Sequence, residues 1–258
     1  MPRALIGYTG FVGGNIIRQT NFDRVYNSIN IDTMADIGMF DIVVCAAPHS
    51  MKWRANKYPE DDLISLKKLF HVLGKIQTRK LILISTIDVY PEARMVDEDT
   101  PINLEILSPY SKHRRLLELF VENRFDTLVV RLPGLFGMGL RKNYIYDLLH
   151  NQPSFVHQDG IMQFYNLDNI WRDINVALKY GIKYLNIASE PISVKEIAIK
   201  AFNIDYKNII SPPPFAYDMH SKHALFWNRA GSYLYGKNVI LSELKSFIGK
   251  MREIKNSA

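Results

Sequence analysis

The chain has 258 residues and a mass of 29.8 kDa, and 47% of its residues are hydrophobic. That supplies one large domain, or one domain with a smaller lobe, and excludes a disordered chain. The 32 Lys and Arg outnumber the 26 Asp and Glu, for a formal charge of +6. The excess is scattered with no block of five or six basic residues, so it suits an acidic ligand without pointing to nucleic acid. One cysteine, Cys45, excludes an intrachain disulfide and a Cys-based metal site. No H-x-x-x-H or H-E-x-x-H pattern occurs, so no catalytic metal is expected. No apolar run approaches the ~18 residues of a membrane helix. The start, MPRALIGYTG, enters a structural motif at once. The expectation is a cytoplasmic protein without a signal peptide, bound to neither membrane nor nucleic acid.

In chain order, short apolar runs alternate with helical patterns. Ala4-Leu5-Ile6 and Arg24-Val25-Tyr26 read as strands, and Asp41 to Ala47 as a strand buried on both faces. Leu63, Leu66, Leu69, Phe70 and Leu73 recur at three- and four-residue steps, as in an amphipathic helix. Leu81–Ile84 is the next buried strand, followed by a helix after Pro109 marked by Leu116, Leu119 and Phe120. Leu128–Leu132 is a strand stopped by Pro133-Gly134, and Tyr184–Ile187 is the last. This alternation predicts an α/β fold: a Rossmann-like, doubly wound parallel sheet with a smaller C-terminal lobe. The sheet domain is placed at residues 1–133 plus about 166–190, and the lobe at about 134–165 and 191–258. Ligands of such sheets sit at the carboxyl ends of the strands, so the segments just after each strand are the candidate site.

The segment Gly7-Tyr8-Thr9-Gly10-Phe11-Val12-Gly13 follows the first strand and precedes a helix. Glycines permit the tight turn and let the backbone approach a pyrophosphate, while a helix N-terminus offers N–H groups and a positive dipole end. The spacing is G-x-x-G-x-x-G rather than G-x-G-x-x-G. It makes Gly7, Thr9, Gly10, Phe11, Val12 and Gly13 candidate dinucleotide contacts. After the second strand, where an acidic residue usually holds the adenosine ribose, the sequence reads Tyr26-Asn27-Ser28-Ile29-Asn30. Asn27 can hydrogen-bond either NAD or NADP, and the choice stays open.

The loop, Ala46-Ala47 ending a later strand, Ser85-Thr86-Ile87-Asp88-Val89-Tyr90, Ser108-Pro109-Tyr110, Arg131 to Gly137 and Asn186 to Val194 occur in one order. Together they resemble the extended short-chain dehydrogenase/reductase family, which includes nucleotide-sugar epimerases, dehydratases and 4-keto-sugar reductases. The resemblance covers roughly residues 2–200. It implies hydride transfer between a sugar carbon and the nicotinamide of NAD or NADP. Tyr110 would act as acid or base, Thr86 would share its hydrogen bond, and Arg114 would stand at the position of the usual lysine of Y-x-x-x-K. An arginine there can lower the tyrosine's pKa by its charge but cannot relay a proton. His113, one residue earlier, lies on roughly the same face, and its plain reading is a solvated helix residue.

The resemblance further implies cofactor contacts at Ala46, Ala47, Tyr110, Arg114 and Pro133. Substrate contacts are implied at His49, Thr86, Asp88, Gly134, Lys142 and Asn143. Gly134 stands where the family often has an asparagine, and Met162 where it has a basic residue. A homodimer through the helices near 63–74 and 110–122 is expected. The leading function is an NAD(P)-dependent oxidoreductase, epimerase or dehydratase acting on a sugar, with a nucleotide-linked sugar as substrate. The alternative is a catalytically altered dinucleotide-binding protein of the same fold.

Overall fold

A computed structural model describes residues 1–48, 50–152, 156–209 and 214–257. In chain order β1 (Arg3–Ile6) leads through α1 (Phe11–Ile17) to β2 (Arg24–Tyr26), α2 (Met34–Ile37) and β3 (Met39–Cys45). Next come α3 (Lys52–Lys57), α4 (Pro59–Leu73), β4 (Gln77–Thr86) and β5 (Arg94–Val96). After them lie α5 (Pro109–Glu122), β6 (Thr127–Leu132), β7 (Gly134–Phe136) and α6 (Tyr144–Leu149). The last third holds β8 (Ile161–Met162), β9 (Phe164–Asn166), α7 (Ile170–Lys179), β10 (Tyr184–Asn186) and β11 (Ile192–Ser193). It ends with α8 (Val194–Ile197), β12 (Asp218–Met219) and α9 (Lys237–Ser257).

The fold is α/β and Rossmann-like, built on a parallel six-stranded sheet ordered β10-β6-β4-β3-β1-β2. The chain runs outward from β1 to β2, then crosses back to β3, so the order reverses between β1 and β3. A ligand-binding crevice opens at such a reversal, at the carboxyl ends of the strands. Residues 27–38 form turns and the four-residue α2, so β2 is the edge strand.

The chain divides into two units. The first comprises residues 1–92, 99–131 and 170–185. Its core sets Ala4, Ile6, Val43, Leu81 and Val129 of the sheet against Leu66, Leu69 and Leu73 of α4 and Leu117 and Val121 of α5. Every residue of β6 is buried, which explains its unbroken apolar run apart from Arg131. Strand β4 starts at Gln77, well before the apolar run at Leu81, because pairing with Met39 and Phe40 of β3 extends it. The second unit comprises residues 93–98, 132–169 and 186–258. It holds three two-stranded sheets and the 21-residue helix α9. Helix α9 buries Ile240, Leu241, Leu244, Phe247 and Ile248 at three- and four-residue steps. Gln163 ties this unit's loops together, donating to the carbonyls of Ser189 and Met219 and accepting from the Met219 amide.

The charged residues of the first unit's interior are paired. Glu118 on α5 is fully buried. It accepts from Arg131 Nε and Nη2 at 3.0 and 2.8 Å, from Ser85 Oγ at 2.6 Å and from Arg115 Nη1 at 2.7 Å. Arg131 also donates to Tyr90 Oη at 2.7 Å and lies against the rings of Tyr90 and Tyr184. Burial works against the Arg131 charge, but Glu118 and Tyr90 outweigh it and hold the guanidinium protonated more firmly than usual. Breaking a buried pair by neutralising one partner strands the other. Glu118→Gln is therefore expected to lower unfolding stability by about 3–5 kcal/mol, measured by urea denaturation, whereas Glu122→Gln on the exposed end of the helix stays within about 1 kcal/mol.

Candidate active site

Three adjacent parallel strands, β1, β3 and β4, deliver the candidate residues at their carboxyl ends. Gly7 leaves β1 with φ +87°, a conformation that favours glycine. A Cβ on Gly7 would stand 2.6 Å from the Ala46 carbonyl oxygen, so Ala46 and Ala47, just past β3, press directly on this turn. A Cβ on Gly13 would stand 2.1 Å from the Gly7 oxygen. Those two glycines are demanded by the chain's own packing. Gly10 differs. Its backbone is extended, at φ −80° and ψ 170°, it is exposed, and a Cβ there would meet only the Gly7 oxygen, at 3.3 Å. A small side chain at Gly10 would need the Gly7 carbonyl to give by only a few tenths of an ångström, far less than at Gly7 or Gly13, and the exposed backbone is open to an outside group. Gly10 also N-caps α1 without a side-chain acceptor, which leaves the first helical turn uncapped by any side chain. A dinucleotide pyrophosphate fits this arrangement. Thr9 is exposed beside it, and Phe11 and Val12 are half-buried in the first turn.

Asn27 sits next to this loop with its side chain engaged. Its Oδ1 accepts from the Ile29 and Asn30 amides and its Nδ2 donates to Tyr8 Oη. It therefore shapes the turn after β2 and links that turn to the glycine loop.

After β4, Thr86 caps a short 3-10 turn by accepting from the Asp88 amide at 3.2 Å. Asp88 pairs with Lys52 of α3 at 2.5 Å. Tyr110 lies in the first turn of α5, whose N-terminus is capped twice: Ser108 Oγ accepts from the Ser111 amide and Asn56 Oδ1 from the Tyr110 amide. Tyr110 is buried, and Arg114 lies over its ring with the guanidinium carbon 4.7 Å from the ring centre. Burial pushes the Tyr110 phenol above its ordinary value. Arg114 pulls it down by charge and hydrogen bond, Asp88 pushes it up, and Lys52 opposes the rise.

Arg114 does not face Tyr110 as a lone charge. Its Nη2 donates to Asp62 Oδ1 of α4 at 2.7 Å. His113 Nδ1 lies 2.7 Å from the other oxygen of the same carboxylate. Both are buried, so His113 is not the solvated residue its sequence context suggested. Lys112 is exposed, as a position two residues after Tyr110 should be. Lys52, Asn56 and Asp62 were not singled out as acting on Tyr110. The available signal was Asp62 on the apolar face of α4, one residue before Leu63, where a carboxylate needs a buried cation.

Thus Thr86, Asp88, Tyr110 and Arg114 come together in the first unit, with Gly7 to Gly13, Asn27, Ala46 and Ala47 at neighbouring strand ends. Pro133, Gly134, Lys142 and Asn143 lie in the second unit. Gly134 has no room for a side chain, since a Cβ would stand 2.8 Å from the Gln163 oxygen. Asn143 caps α6 by accepting from the Tyr146 amide, and its Nδ2 donates to the Leu135 carbonyl. Lys142 is exposed. His49 lies outside the described residues. Cys45 is buried, its thiol pushed up to about 11 by burial, so it is no nucleophile. Among the described residues no group of three His, Cys, Asp or Glu side chains is placed to hold a metal, and no helix is long and apolar enough to cross a membrane.

No protein-family model matches the chain, and no curated protein matches it. Solved structures do match. The NAD-dependent NDP-hexosamine 5,6-dehydratase TunA, involved in tunicamycin biosynthesis, aligns over 100% of this chain and 99% of its own, with TM-score 0.76 and 17% identity. A dTDP-4-dehydrorhamnose reductase from Bacillus anthracis in complex with NADP aligns over 97% and 99%, with TM-score 0.72 and 17% identity. The UDP-glucose 4-epimerase of Thermotoga maritima with UDP-glucose aligns over 98% and 99%, with TM-score 0.72 and 15% identity. At these identities the likeness establishes the fold.

The two kinds of glycine separate by mutation. Gly13→Ala is expected to cost about 1–3 kcal/mol or more, because the carbonyl it meets is backbone and cannot turn aside. Gly10→Ala is expected to cost about 1 kcal/mol or less. Thermal unfolding of both variants checks the difference.

Proposed function

We propose that the chain is an NAD(P)-dependent oxidoreductase, epimerase or dehydratase acting on a nucleotide-linked sugar. The observation that carries this reading is that Arg114, Asp88 and Lys52 act on the buried Tyr110 at the carboxyl end of β4, where Thr86 caps the turn that holds Asp88, two strands from an open glycine turn. The full-length likeness to dehydratase, reductase and epimerase structures supports it.

The backbone of Gly7 to Gly13 would hold the pyrophosphate, with Ala46 and Ala47 forming the adjacent wall. Bound there, a nicotinamide dinucleotide supplies or accepts a hydride. Tyr110 handles the matching proton at the substrate oxygen. Burial raises its phenol and favours the protonated form, ready to donate when a keto sugar is reduced; when a sugar hydroxyl is oxidised, Tyr110 must first have lost that proton in order to accept the hydroxyl's. Thr86 shares the hydrogen bond to the same oxygen. Lys52 and Arg114 lower the cost of the phenolate left behind, and Asp88 limits that effect. Asp88, Pro133, Gly134, Lys142, Asn143 and His49 are kept as substrate or cofactor contacts by family resemblance alone.

We further place the protein in the cytoplasm as a homodimer, paired through α4 and α5. Ile64 is 64% exposed on α4, and Phe70 and Phe120 pack together at 4.6 Å with part of each ring left at the surface. The binding-only alternative is favoured by one observation, the tie of Arg114 to Asp62, which reduces the charge acting on Tyr110.

Titration calorimetry with NADH and NADPH is the first test. Binding of either that vanishes in a folded Gly10→Val variant supports the loop assignment, and unchanged affinity overturns it. With a keto-sugar nucleotide as substrate, Tyr110→Phe should lower turnover by about 100- to 10,000-fold while cofactor affinity is largely kept. Arg114→Lys keeps the charge but loses the planar fork over the ring, and partial activity there separates charge from geometry. Parent and Tyr110→Phe rates that are equal would favour the binding-only reading.

A further inference from the structure

We propose that Asp62 is a positioning residue for Tyr110: it holds Arg114 beside the phenol ring and offsets part of the charge that Arg114 imposes. The inference rests on the reading of Tyr110 as the proton-handling group.

The geometry is specific. Asp62 lies on α4, one residue before the apolar stripe that packs on the sheet, with its side chain 7% exposed. Its two oxygens serve two neighbours on α5, Arg114 at Oδ1 and His113 at Oδ2, each at 2.7 Å. A carboxylate only accepts, so the His113 Nδ1 carries a hydrogen. The arginine side chain is 5% exposed. Held at one end by Asp62, its guanidinium carbon stands 4.7 Å from the Tyr110 ring centre. A lysine at position 114 would place a point charge on a flexible stem; the arginine fork can bond an anchor while it stays beside the ring. Asp62 supplies that anchor.

The charged groups facing this assembly come from each element packed on α5. Helix α4 contributes Asp62, α3 contributes Lys52, and the turn after β4 contributes Asp88; α5 itself contributes Arg114, with the titratable ring of His113 on the same carboxylate. Strand β4 offers the hydroxyls of Ser85 and Thr86 and no charge. Lys52 and Asp88 are already paired with each other at 2.5 Å. The Arg114–Asp62 pair is the second neutral couple beside Tyr110. Removing Asp62's charge alone leaves a net cation next to the phenol and makes it more acidic. Asp62 thus adds to burial, the larger effect, in holding the Tyr110 phenol protonated.

The test is a titration of the free protein labelled with 3-fluorotyrosine. The ring fluorine shifts when the phenol ionises, and fluorination brings the ionisation into a milder pH range. Tyr110→Phe assigns the signal among the 14 tyrosines. Asp62→Asn should lower the Tyr110 midpoint by about one pH unit, a roughly tenfold gain in acidity. Asp62→Glu should restore the parent midpoint, and Asp62→Asn combined with Arg114→Met should abolish the shift. An unchanged midpoint in folded Asp62→Asn, or a shift that survives in the double variant, overturns the proposal. Should Asp62→Asn fail to fold, the comparison moves to Arg114→Met and the double variant, which leave no stranded cation. The midpoint should fall from the first to the second, and equal midpoints overturn the proposal. No cofactor enters the titration, so its failure leaves the dinucleotide reading standing. Failure of NADH and NADPH to bind leaves the coupling of Asp62 to Tyr110 intact.

Discussion

The buried pair between Glu118 and Arg131 sets the register on which the rest of the first unit depends. Glu118 sits two helical turns beyond Tyr110 on α5, and Arg131 lies near the end of β6. The same carboxylate also accepts from Ser85 on β4, next to Thr86. One side chain therefore locks α5 to two neighbouring strands at once. With all its oxygen bonds made inside the protein, a slide of the helix by one residue would leave two buried charges without partners, an error of several kcal/mol. Tyr110 consequently reaches the carboxyl end of β4 at a defined height. The position of the candidate acid is fixed by a pair that has no part in its chemistry.

A second buried couple does for the side chains what Glu118 does for the helix. Asp62 joins α4 to α5 through Arg114 and His113. Because α4 follows β3 and α5 follows β4, the bond also relates two crossover helices to one another. The buried Tyr110 sits between the buried Arg114–Asp62 pair and the more exposed Lys52–Asp88 pair. Under those conditions burial outweighs the nearby cations, and the phenol stays protonated.

The glycine turn follows a different logic, that of space. Gly7 and Gly13 are pressed against backbone from Ala46 and from each other, which draws β1, α1 and the end of β3 together. Gly10 is less closely pressed: a Cβ there would meet only the Gly7 oxygen, at 3.3 Å. The turn is rigid at its ends and open at its middle, which suits a site whose ligand is bound by backbone groups.

Much of this was legible in the sequence. The unbroken apolar runs at 41–47, 81–84 and 128–132 mark strands covered on both faces, and the glycine spacing after the first of the strands marks the turn. Gly7 and Thr86 fall at strand ends, as the alternation of strands and helices requires, and Tyr110 falls in the first turn of the helix after Pro109. These features are local: they depend on periodicity and backbone sterics over a few residues. Helix α9 lies outside the elements read from the sequence, although Ile240, Leu241, Leu244, Phe247 and Ile248, which it buries, stand at helical steps. The partnerships were not legible. Asp62 and His113 are 51 residues apart, Ser85 and Glu118 are 33 apart, and Asn56 caps a helix 54 residues away. A carboxylate on an apolar helix face signals that it needs a cation without saying which one. Polar Gln77 to Lys80 became strand only because β3 lies alongside. The sequence by itself determined where the chain is straight, where it turns and which faces seek the core. Which charges meet inside was decided by the tertiary structure alone, because burial makes each unpaired charge costly and only the folded chain brings its partner within reach.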